Sequence, residues 1–252
     1  MAGIMYLGNQ MVSPVILQGE SGGGFIGVPK FSVVDGVPVA LNYELTGNEF
    51  DGITEIDSNI LGSMYANTQL SGVVGFGDLE YVSGDNGLDN TFSYTKITEA
   101  NFPKLKQITG ENAFFGTFLN AYDLESVDFS ALEKASSYAL DSFCYNTKVE
   151  TLNFTNLYDL DGEGPMYRAL AGMMSLSDVY FNSLTTQSFS DPNLGEYVFY
   201  DMCVDGAGSL SGSLTLHFPS NLENAVSNLY DYPTFGGDPS VIRLAFDLDP
   251  TE

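Results

Sequence analysis

His217 is the chain's one histidine, so a two-histidine metal site or a histidine relay cannot be assembled within a single copy. A serine hydrolase would need that imidazole beside an activated serine and an acid, and no nucleophile motif leads to it. His217 reads as a surface or ligand-contact residue. Cys144 and Cys203 are the two cysteines, too few for a disulfide framework at this length, and read as free buried thiols. Gly22, Gly24 and Gly27 spell a G-x-G-x-x-G. That fingerprint needs a preceding strand and a following helix; Pro29 falls inside the would-be first turns and no βαβ pattern follows, so linker chemistry is expected instead. Asp159-x-Asp161-Gly162-Glu163 opens like a calcium loop, but Leu170 takes the twelfth position, where a bidentate Glu belongs. A solvated acidic turn is expected. Paired acids could serve glycoside hydrolysis if held across a cleft, but a repeat surface without large insertions offers no such cleft. The sequence thus predicts a protein that is not an enzyme, with no catalytic residue, no metal and no cofactor.

The charge narrows the partners. In 252 residues, 8 Lys and Arg face 33 Asp and Glu, a formal net charge of −25. So few cations exclude a phosphate-neutralising nucleic-acid surface and electrostatic docking on anionic lipid. No stretch approaches the ~18 apolar residues of a membrane span, so no membrane insertion is expected. Hydrophobic residues still make up 44% of the chain, enough to build a core. Tyr is frequent, at 15, and Trp is absent; exposed Tyr gives rigid amphipathic contact area, which favours binding over chemistry.

These residues are positioned by an internal repeat. The pattern apolar-x-x-apolar-x-Phe, with Leu usually three residues later, occurs at Ile97-Ala100-Phe102-Leu105, Leu124-Val127-Phe129-Leu132, Val149-Leu152-Phe154-Leu157 and Leu176-Val179-Phe181-Leu184. Looser copies end at Phe76, Phe218 and Phe246, so that the seven phenylalanines 76, 102, 129, 154, 181, 218 and 246 are spaced by 26, 27, 25, 27, 37 and 28 residues. A second half-motif precedes each copy: Met64, Phe92, Phe118, Phe143 and Leu170 lie five or six residues before the leading apolar position. One copy cannot bury its own apolar side, but stacked copies complete a continuous core. Equivalent residues would then form ladders ~4.8 Å apart, with Phe76, Phe102, Phe129, Phe154, Phe181, Phe218 and Phe246 as an interior column. Alternation turns the residue before each Phe outward: Gly75, Asn101, Asp128, Asn153, Tyr180, His217 and Ala245. One of these seven is acidic, and stacked carboxylates ~5 Å apart would repel by roughly 0.8 kcal/mol per pair even in water. A polar, aromatic, nearly uncharged face is expected, with Asn101, Asp128, Asn153, Tyr180 and His217 as the candidate ligand contacts.

The stretch Ser142-Phe143-Cys144-Tyr145-Asn146-Thr147-Lys148-Val149, running into Glu150-Thr151-Leu152-Asn153-Phe154, resembles the A-F-x-x-C-x-x-L-x-x-I-x-hydrophobic-P unit of BspA-like leucine-rich repeats. The frame also fits Thr117-Phe118 through Phe129 and Ser63-Met64 through Phe76. The family's Cys is replaced by Asn67, Ala121, Asn146 and Met173, with Cys203 at that place in the sixth copy; its Pro survives as Pro103 and Pro219. The resemblance covers roughly residues 50 to 248. It implies a mainly β, right-handed leucine-rich-repeat solenoid of about seven repeats of ~26 residues. The opening MYLGNQMVSPVI and the closing segment look like leucine-rich-repeat proteins of gut bacteria and their phages that lack signal peptides, some of which look like tail or fibre adhesins.

The expected organisation is an attachment and linker segment over 1–30, with Ser21-Gly22-Gly23-Gly24 as hinge, then a cap strand over 31–49. The solenoid follows over 50–220, with a loop insertion around Asp191-Pro192-Asn193 and Gly206-Ala207-Gly208-Ser209, and a capping repeat over 221–252. In the last, Leu222, Val226, Leu229 and Tyr230 have helical spacing, Ser220 and Asn221 are candidate N-caps, and a strand is expected from Val241 to Leu248 after the Gly236-Gly237 turn. The resemblance implies a non-catalytic adhesion module on a phage virion, made in the host cytoplasm without a signal peptide. Its partners would be a host-surface protein or glycan and, through the N-terminal segment, other virion proteins; a homotrimer joined there is one arrangement it admits. The alternatives are a structural virion or scaffold protein without a ligand, and a bacterial leucine-rich-repeat adhesin in the cytoplasm or at the cell surface.

Overall fold

The computed structural model describes the strand backbones between residues 5 and 40, and then residues 44–185, 188, 198–199, 201–226, 238 and 240–249. It is a mainly β, parallel solenoid of about seven turns with very little helix. The coils between Glu44 and Asp161 carry three sides. The first is a parallel sheet in two segments. One joins β7 (Glu44–Thr46), β9 (Ser71–Gly75), β11 (Lys96–Asn101) and β13 (Ser126–Asp128); the other joins β15 (Thr151–Asn153), β17 (Asp178–Tyr180), β18 (Leu214–Pro219) and β19 (Ile242–Leu248). The second side is the parallel sheet of β8 (Glu55–Ile56), β10 (Tyr81–Val82), β12 (Gln107–Ile108), β14 (Lys134–Ser136) and β16 (Asp159–Asp161).

The third side is neither strand nor helix. Along 86–94 every second N–H crosses to the next coil: Asn86 to the Glu111 carbonyl, Leu88 to Ala113, Asn90 to Phe115, Phe92 to Thr117 and Tyr94 to Leu119. The N–H groups between them close local turns, Asp89 to Asn86, Thr91 to Leu88 and Ser93 to Asn90. Every backbone donor of this run is thereby satisfied without a regular element. The geometry needs a left-handed residue every fourth position: Asn86, Asn90 and Tyr94 in one coil, Asn112, Gly116 and Asn120 in the next, Tyr138, Ser142 and Asn146 in the third. Asn and Gly are the residues that enter this region most readily, and they supply most of these positions.

The interior is as the Phe spacing predicts. Rings 76 and 102, 102 and 129, 129 and 154, 154 and 181, 181 and 218, and 218 and 246 stack pairwise, with centroids 5.1–6.1 Å apart. Phe50 extends the column by one ring, 4.5 Å from Phe76; it lies 26 residues earlier, but no repeat precedes it to reveal the register. The second interior column differs from the sequence reading. Tyr65 stacks on Phe92 and Phe92 on Phe118, at 5.6 and 5.8 Å. Phe118 N–H donates to the Phe143 carbonyl, with the same one-residue offset as Phe92 to Thr117, so Cys144 is the residue opposite Phe118. The plug positions are therefore Tyr65, Phe92, Phe118, Cys144 and Leu170. Each precedes a left-handed residue by two (Asn67, Tyr94, Asn120, Asn146, Gly172), and that turn, not ring identity, sets the register. Met64 is only partly buried, and Phe143 instead meets Phe129 at 5.5 Å.

The ends also differ from expectation. In place of one strand, 31–45 contains an antiparallel pair, β5 (Phe31–Val34) with β6 (Val37–Ala40), and then β7, which pairs in parallel with β9. β5 continues into β2 (Gln10–Val12) and β1 (Met5–Leu7) of the same sheet. Gly24, expected in a hinge, opens β4 (Gly24–Gly27), which pairs antiparallel with β3 (Val15–Gln18). At the other end a 3-10 turn at Ser220–Leu222 leads into a helix at Glu223–Val226, and Pro219 holds the cap position with no side-chain cap bond; neither Ser220 nor Asn221 caps it. Strand β19 falls where predicted. Residues 19–23, 191–193, 229–230 and 236–237 lie outside the described residues.

Candidate functional site

The first sheet places the predicted outward residues in register. Gly75 pairs with Asn101 and Asn101 with Asp128; Asn153 pairs with Tyr180, Tyr180 with His217 and His217 with Ala245. The row is shorter than expected. Gly75 is buried because the Gly47 carbonyl lies where its Cβ would be, and Ala245 is buried as well. Asn101 and Asp128 sit on one sheet segment and Asn153, Tyr180 and His217 on the other. Asp128 Oδ1 accepts from the Ser130 N–H at 2.9 Å, an Asx turn that ends the strand.

Side chains converge at one place on this face. The Tyr180 and His217 rings stack with centroids 4.3 Å apart and planes at 9°. His217 Nδ1 lies 2.9 and 3.0 Å from the two carboxylate oxygens of Asp247, and Nε2 lies 3.1 Å from Asp178 Oδ1. This corrects the expectation of a nearly uncharged face: Asp178 occupies the other outward position of β17, two residues before Tyr180, and Asp247 reaches in from β19. The Ser177 hydroxyl lies 2.7 Å from Asp178 Oδ2 and 3.0 Å from the Glu150 carbonyl oxygen, two acceptors for its single proton. That hydroxyl, opposed by burial and assisted by His217, holds the Asp178 carboxyl below its usual range. Chemically the cluster is a clasp across three adjacent strands. Neither imidazole nitrogen is left to take a proton from a hydroxyl, which is what a nucleophile–base pair requires.

The other candidate chemistry resolves into structure. Lys134 Nζ sits 2.9 Å from Asp159 and 3.3 Å from Asp161, so an ammonium occupies the acidic turn that resembled a calcium loop. Lys104 pairs with Asp78, Lys106 with Glu80, Lys148 with Asp123 and Arg168 with Asp205, each across neighbouring coils. Spacings of 25 to 27 residues link the lysine pairs, a signal legible once the period is known. Exposed pairs of this kind contribute little each, and with Lys134 they engage five of the chain's eight lysines and arginines. Cys144 and Cys203 are free and buried, and burial pushes both thiols up.

Asp141 is nearly buried, 8% exposed, on the third side. Burial raises its pKa, against the Ser142 hydroxyl at 2.6 Å and the Arg168 charge. A raised folded-state value means that the native protein binds the proton more tightly than the unfolded chain, so this carboxylate destabilises at neutral pH and ceases to do so in acid. Asp141→Asn is therefore expected to raise stability at pH 7, with the gain shrinking as pH falls through the raised value to the ordinary carboxylate range. Urea unfolding across pH measures it; a gain that does not vary with pH would contradict the assignment.

Comparison with protein-family models, with curated proteins and with solved structures returns no match.

Proposed function

We propose that this chain is a non-catalytic binding module of the BspA-like leucine-rich-repeat kind, carried on a phage particle as a tail or fibre component. Its first sheet meets a protein or glycan on the host surface, and its N-terminal strands join it to other virion proteins. The observation that carries the reading is the Asn153–Tyr180–His217 row: polar and aromatic groups fixed in register, with the imidazole engaged on both nitrogens by carboxylates. Such a surface is preorganised for contact. The sequence resemblance to signal-less repeat proteins of gut phages supports the virion setting. The test pairs mass spectrometry of purified virions with binding of the purified protein to a panel of gut bacterial strains. The chain should be present in particles, and N153A/Y180A should lose at least tenfold in cell binding while keeping its circular dichroism. Absence from virions together with no binding to any strain would overturn the proposal; presence in virions without cell binding would assign a structural part instead.

A further inference from the structure

Tyr94 breaks a rule that its neighbours keep. It has φ 57° at a position taken by Asn67 (φ 59°), Asn120 (φ 56°), Asn146 (φ 56°) and Gly172 (φ 62°) in the other coils. An aromatic residue in the left-handed region is strained, whereas Asn and Gly enter it at low cost, and retained strain of this kind concentrates at functional positions. Among the described residues Tyr138 is the other tyrosine with positive φ, and its ring has a structural role: it packs edge-on against Tyr167 at 5.4 Å, and a hydrogen bond to Glu163 raises its phenol to about 12. Tyr94 has no such contact among the described residues and is 48% exposed.

The surroundings of Tyr94 point to a ligand class. Asn146 Nδ2 donates to Asn120 Oδ1 at 2.8 Å, while Asn120 Nδ2 has no acceptor among the described residues although Asn120 is 8% exposed. Tyr122, two residues beyond Asn120, is 58% exposed. The backbone bonds Tyr94 to Leu119 and Asn120 to Tyr145 fix these coils in register. The edge thus offers exposed phenol rings beside a half-satisfied amide pair, on rungs spaced about 4.8 Å apart, close to the length of one pyranose residue. Aromatic faces stack on sugar rings and planar amides pair with vicinal hydroxyls. Lys148, on the next coil, is engaged by Asp123 at 3.0 Å, Lys96 is the one cation on this edge without an acid partner among the described residues, and the chain carries a net charge of −25, which disfavours acidic glycans.

We propose that Tyr94, Asn120, Tyr122 and Asn146 form a subsite for a neutral saccharide chain running along the solenoid axis. This deepens the binding reading above by naming a ligand class, and it rests on that reading while placing the contact on a different side. The test is a microarray of purified neutral, amino and acidic bacterial oligosaccharides, with quenching of tyrosine fluorescence as the solution measurement. Wild type should retain neutral oligosaccharides, and Y122A and Y94N should each lose at least tenfold in affinity. Y94N restores the residue that three other coils use, so it should be at least as stable as wild type, which separates lost binding from lost folding. Retention of acidic glycans alone, no retention of any glycan, or wild-type affinity in Y94N and Y122A would overturn the proposal. If host cells are still bound through Tyr180 while the array is blank, this inference fails and the binding module stands.

Discussion

Phe129→Ala is expected to destabilise the protein by about 3–5 kcal/mol, the range for deleting a buried aromatic ring from a packed core. Phe129 is 1% exposed. It stacks on Phe102 at 5.5 Å and Phe154 at 6.1 Å and also meets Phe114 and Phe143 at 5.6 and 5.5 Å, so truncation opens a void between two coils and removes aromatic pairs on both sides. Phe246→Ala makes the comparison informative. That ring is only partly buried and stacks on one neighbour, Phe218, at 6.0 Å; its loss should cost about 1–2 kcal/mol on burial alone. In a solenoid, stability is a sum of repeat and nearest-neighbour terms, and a central ring takes part in two interfaces where a terminal one takes part in one. Urea unfolding of the two variants measures the ratio; equal costs would show that the rings do not form one column of coupled layers.

The second large effect is expected at Gly75, and it separates close approach from backbone conformation. A Cβ there would overlap the Gly47 carbonyl oxygen, a backbone atom that cannot swing aside. Gly75→Ala should cost about 3 kcal/mol, the upper part of the range for overpacking, by prising the first coil from the second. Gly52 is the control: it has φ +87°, and a methyl group added to its Cα would meet nothing within 4 Å. Gly52→Ala should cost only the left-handed penalty, about 1–2 kcal/mol. A smaller loss at Gly75 than at Gly52 would mean that the coils are not in the tight contact described.

The period of the chain is legible because its strongest signal, Phe before a turn, coincides with the deepest burial. The same signal misplaces the second column: Phe143 is as apolar as Phe118, yet the register follows the left-handed residues, and those are ordinary Asn, Ser or Tyr letters whose φ no single sequence displays. The outward row is legible by alternation, since strand side chains alternate whatever their identity. Its environment is not. Asp178 lies on the same strand as Tyr180, and Asp247 lies 30 residues beyond His217; only the stacking of β17, β18 and β19 brings both onto one imidazole. The lysine pairs stay hidden for a different reason, since opposite charges 25 to 27 residues apart gain meaning only once the repeat length is fixed. At the N-terminus, the alternation of Val37, Val39, Leu41, Tyr43 and Leu45 reads as one strand, and nothing in it shows that Val37–Ala40 pairs back on Phe31–Val34.

The most direct test of the stacked interior is a pair of distances. Glu55, Gln107 and Asp159 occupy equivalent positions on the second sheet, with Tyr81 and Lys134 on the strands between them. Spin labels on cysteines at 55 and 107 should be separated by two strand spacings, about 10 Å, and labels at 55 and 159 by four, about 19 Å, before allowance for the linkers. The native thiols are buried, which keeps Cys144 and Cys203 unlabelled. A second distance close to twice the first is the result that the parallel stack predicts; equal distances, or a shorter one for the 55–159 pair, would contradict it.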